Sequence, residues 1–74
     1  MKTTTKKGQA IVSKALDVVG KAELSGVIDV WEHAGTIFVS SPSESFAVKV
    51  SEWRFGAWIS LGVLIGLCHD NRNQ

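Results

Sequence analysis

The sequence predicts a two-layer α+β domain in the order helix, three antiparallel strands, helix (αβββα), with both helices on one face of the sheet. Three observations carry that prediction. Hydrophobic spacing is helical over residues 9–22, alternates over 26–51, and becomes continuous over 55–68. The two strand connections, Ala34-Gly35 and residues 41–44, independently bring the same aliphatic side chains to one sheet face. A chain of 74 residues has room for one core only.

The elements follow in order. Residues 1–8, MKTTTKKG, have no periodicity and read as a flexible basic arm ahead of a domain spanning 9–70. From Gln9 to about Ala22, Ile11, Val12, Ala15, Leu16, Val18, Val19 and Ala22 share one arc of a helix. Gln9, Ser13, Lys14, Asp17 and Lys21 fill the other arc. Gly20 weakens the last turns by about 1 kcal/mol relative to alanine, and Ser25-Gly26 is the expected stop.

GVIDVWEHAGTIFVS then alternates and breaks at Ala34-Gly35. A two-residue loop sets 33 opposite 36, 31 opposite 38 and 30 opposite 39; a three-residue loop with a bulge is the other option. Pro42 marks a turn at 41–44, and a four-residue loop there sets 40 opposite 45, 39 opposite 46 and 37 opposite 48. Ile28, Val30, Ile37, Val39, Phe46 and Val48 then share a face, with Glu32 at its end near the turn. Ser51 is the expected cap of the last helix, with Glu52 in its first turn. Residues 71–74 form a polar tail.

RFGAWISLGVLIGLC, residues 54–68, admits three readings. A membrane-inserted segment needs about 20 apolar residues to cross roughly 30 Å. The uncharged run from Phe55 to Cys68 reaches only about 21 Å as a helix. Gly62 and Gly66 form the G-x-x-x-G spacing that serves helix contact in membranes. A core helix without a polar stripe must be covered on more than one side, and one sheet and one helix leave part of it bare. Ile59, Gly62 and Gly66 are therefore the expected interface of a homodimer. ISLGVLI as a short strand is the alternative.

Composition narrows the function. So short a chain buries only about 60–65% of its unfolded surface, and oligomerisation is one of the usual supplements. A disulfide within the chain is excluded by its one cysteine, Cys68, and structural zinc is disfavoured because His33 and His69 stand far apart without a second thiol. No metal and no cofactor are expected. Charges interrupt QAIVSKALDVVGKA where an export signal needs an unbroken apolar run, so a cytoplasmic location is expected.

Catalytic motifs are missing as well. Cys68-His69-Asp70 cannot form a relay, because consecutive helical side chains point about 100° apart. Glu32-His33 falls at a hairpin tip. Neither H-E-x-x-H, a phosphate-cradling glycine loop nor G-x-S-x-G occurs. A protein without enzymatic activity is expected.

Charge is uneven around a net +1: Lys2, Lys6, Lys7, Lys14 and Lys21 precede a body rich in acids. The element order resembles, in topology, the double-stranded-RNA-binding domain. That family's basic cluster at the start of its second helix is missing here, where SEWRFGAW carries one arginine and one glutamate. Phosphate contact dominates such binding, so the nucleic-acid alternative rests on the arm residues Lys2, Lys6 and Lys7.

The remaining candidate is the second face of the sheet. There Trp31 stands opposite Phe38, ringed by Asp29, His33, Thr36 and Lys49, in the pattern of an apolar interface centre with a polar rim. Trp53 and Arg54 are expected to extend it, with Trp58 in the core. The function expected is a small protein-binding module with a larger protein as partner. Its size is typical of phage or mobile-element accessory factors that inhibit a host protein, anti-defence factors among them. Nucleic-acid binding through the arm and membrane insertion through 55–68 are the alternatives.

Overall fold

The computed structural model describes residues 6–72. It contains α1 (Lys6–Lys21), β1 (Asp29–His33), β2 (Thr36–Ser40), β3 (Ser45–Lys49), a single 3-10 turn (Val50–Glu52) and α2 (Phe55–Arg72). The strands form an open antiparallel sheet in the order β1-β2-β3, giving the expected αβββα arrangement.

Local backbone chemistry sets the register. Ala34 and Gly35 both adopt positive φ, 51° and 81°, as a two-residue type I′ hairpin requires. This pairs His33 with Thr36, Trp31 with Phe38 and Val30 with Val39. At the next turn Ser41 N–H donates to the Glu44 carbonyl at 2.8 Å. The Ser41 hydroxyl donates to the same carbonyl at 2.7 Å and accepts from Glu44 N–H at 3.1 Å. Val39 then faces Phe46 and Ile37 faces Val48.

Both helices serve one core. Ile28, Val30, Ile37 and Val39 from the sheet region meet Ala15 and Val19 of α1 and Ala57, Leu61, Leu64 and Cys68 of α2. Full burial of a side chain such as Ile37 or Leu61 contributes about 1.5–3 kcal/mol. Residues 59–65 are helical, so the strand alternative does not hold.

Helix ends differ from the expected ones. α1 begins at Lys6, which puts Lys6, Lys7 and Gly8 in its first turn instead of in an arm; Lys2 lies outside the described residues. The Glu32 carboxylate packs so closely on Gly8 that any side chain there would overlap it. A negative charge against the first turn complements the helix dipole, which accounts for an acidic residue on the aliphatic side of the sheet. α1 ends at Lys21, before Ser25-Gly26. Leu24 N–H donates to the Val19 carbonyl and Glu23 N–H to that of Gly20, each at 3.0 Å, with Glu23 at φ 61°. That is a Schellman stop with glutamate in the usual glycine position. Gly26, at φ 86°, serves the following turn, where Val27 N–H donates to the Leu24 carbonyl at 2.9 Å.

Ser51 does not cap α2. It lies in the 3-10 turn, and Trp53 is extended at φ −77°, ψ 101°. The extended residue breaks helical continuity, so α2 opens at Phe55, with Ala57 and Trp58 N–H donating to the Arg54 carbonyl at 2.9 and 3.3 Å. The helix continues through Arg72, into the expected polar tail.

Candidate functional site

The sheet face turned away from the helices carries Asp29, Trp31 and His33 from β1, Thr36, Phe38 and Ser40 from β2, and Ser45, Ala47 and Lys49 from β3. At its centre the Trp31 and Phe38 rings stack, with centroids 5.5 Å apart and planes 12° from parallel. They occupy directly paired positions of the β1–β2 ladder, where aromatic cross-strand pairs gain most from contact. Trp31 nevertheless remains 45% exposed. Asp29, His33 and Lys49 are exposed around it, and Thr36 is half-buried. A shallow groove runs from Trp31 and Phe38 past Ser40 to Ser45 and Ala47.

Trp31 also borders α1. A second groove lies between that helix and β1, lined by Gln9, Val12, Leu16, Val30, Trp31 and Glu32. Leu16, assigned to the core by its helical arc, is 44% exposed there. It extends the apolar surface around the edge of the sheet. The helical period places Leu16 on the apolar side of α1 but carries no information on how far β1 reaches beneath it.

The other predicted site residues divide. Trp53 does not extend the aromatic face: it is 7% exposed, stacked on Phe46 at 6.3 Å and edge-on to Trp58 at 5.3 Å. Its large apolar ring completes the core below β3. Arg54 is exposed at the start of α2, apart from the sheet face. Trp58 is half-buried, with Lys14 Nζ 5.7 Å from its ring centre in cation–π geometry. Ile59, Gly62 and Gly66 lie together on the solvent side of α2.

Among the described residues, no three of His, Cys, Asp and Glu come together in a way that would hold a metal ion. Cys68 is buried in the core, while His33 stands exposed on the far side of the hairpin. Among the same residues, no helix is long and apolar enough to cross a membrane.

The fold and this face define a small α+β domain with one covered and one open sheet surface, the open one centred on an aromatic pair. No protein-family model, curated protein or solved structure matches the chain.

Proposed function

We propose that the protein is a non-catalytic binding module that engages a larger protein through the open sheet face. The observation that carries this reading is the Trp31–Phe38 stack, a rigid apolar surface held in place by strand pairing yet 45% exposed at Trp31. Tryptophan in such a setting loses little conformational freedom on binding and is enriched among the residues that dominate interface energies. Asp29, His33 and Lys49 supply polar groups of both kinds at the rim, a composition suited to a folded protein surface with an apolar pocket at its centre. Such a module acts by occupying its partner, as an inhibitor or an adaptor does. The single buried cysteine, Cys68, suits a reducing compartment such as the cytoplasm.

The test is affinity capture from an extract of the native host, with wild type and Trp31→Ala immobilised side by side. A discrete protein retained by wild type and lost with a folded Trp31→Ala is the expected result. Equal retention by both rejects this face as the binding surface.

A further inference from the structure

We infer that two copies of the chain associate through the outer edge of β3 and the exposed ridge of α2, joining their sheets into one of six strands. The inference stands independently of the binding reading above. It begins with ladder parity. Val50 N–H donates to the Gly35 carbonyl at 2.8 Å, and Ser41 N–H to that of Glu44 at 2.8 Å. With those pairs hydrogen-bonded, antiparallel alternation turns the backbone of Phe46 and Val48 toward β2. The N–H and C=O groups of Ser45, Ala47 and Lys49 then point outward along the edge. This edge has no proline, and Lys49 is its only charge, so it is weakly protected against pairing with another strand.

A second observation falls on the same side. Phe55, Ile59, Val63 and Leu67 recur every fourth residue of α2 and are 79%, 52%, 57% and 38% exposed. Ile59, Ser60, Val63 and Leu67 form a groove with Glu44, Ser45 and Phe46, so the apolar ridge adjoins the open edge. Side chains added at Gly56, Gly62 and Gly66 would meet nothing within 4 Å. A neighbouring helix therefore has room to approach at the short end of the usual spacing of about 8–10 Å.

A second copy satisfies both features. With a two-fold axis at Ala47, Ala47 faces its own counterpart, Ser45 faces Lys49 of the second copy, and Phe46 faces Val48 of the second copy on the helix side of the sheet. Antiparallel pairing also keeps the two Lys49 side chains at opposite ends of the seam, whereas parallel pairing would stack lysine on lysine. Stable complexes bury at least roughly 600 Å² per copy, so edge and ridge have to engage together. The joined sheet would carry two Trp31–Phe38 stacks on one continuous face.

The test is sedimentation of the full chain together with directed crosslinking. Wild type is expected at twice the chain mass of 8.0 kDa. An axis at Ala47 puts the two α-carbons about 5.5 Å apart, within the roughly 4.4–6.8 Å range of disulfides. Ala47→Cys should therefore crosslink under mild oxidation, while wild type, whose Cys68 is buried, should not. Ala47→Pro removes an outward donor without touching the β2 ladder and should give folded single chains, as should Val63→Glu. Wild type sedimenting as single chains at millimolar concentration overturns the inference. A dimer that leaves Ala47→Cys uncrosslinked overturns it too. The crosslink decides even if Ala47→Pro fails to fold.

Discussion

Trp31 and Phe38 stack at 5.5 Å across paired positions of β1 and β2, on the side of the sheet that neither helix covers. Their contact is made by the strands alone. Removing it should affect stability little and binding strongly.

Trp31→Ala forfeits the aromatic pair, about 0.5–1.5 kcal/mol beyond the area the ring buries, and is expected to cost less than truncation of a fully buried core residue. Ile37→Ala, at a side chain with 0% exposure in the core, is expected to cost about 2–5 kcal/mol. Urea unfolding at fixed protein concentration compares the two. Equal losses would place Trp31 in the core.

Glu23 holds a left-handed conformation at φ 61°, which costs an L-residue roughly 1–2 kcal/mol. Glu23→Gly should relieve much of that strain and raise the melting temperature. Gly35→Ala, at φ 81°, should lower it for the same reason. Opposite shifts in thermal unfolding are the signature; a lowered midpoint for Glu23→Gly would contradict the Schellman stop.

Gly8 and Glu32 should be energetically coupled. Alanine at Gly8 displaces the Glu32 carboxylate from the first turn of α1, forfeiting a charge–dipole interaction worth about 0.3–1 kcal/mol. In a Glu32→Ala background the same change costs nothing and gains helix propensity. A double-mutant cycle should show Gly8→Ala more favourable in that background by up to about 1 kcal/mol. Additive effects would remove Glu32 from its place against the helix.

Strand register was legible because loops of two and four residues each leave one parity that collects Val30, Ile37, Val39, Phe46 and Val48 on a single face. The Trp31–Phe38 pair follows from the same parity, so the centre of the candidate site was legible too. Helix ends were not. The start of α1 depends on Glu32, far away in sequence, and its stop uses a glutamate where chain statistics favour glycine. Trp53 reads as a surface aromatic until Phe46 and Trp58 are brought against it, and Leu16 reads as core until β1 is placed beside α1. Apart from the α1 stop, which is a local backbone choice, these misses concern contacts between separate elements, which periodicity does not encode.

The most direct test of the account is fluorine NMR of protein carrying 5-fluorotryptophan at Trp31, Trp53 and Trp58, titrated with the captured partner. Trp31→Phe identifies the Trp31 resonance by its loss. This resonance is expected to shift or broaden on binding while those of the buried Trp53 and the half-buried Trp58 hold their positions. Binding that leaves the Trp31 resonance unchanged would contradict it.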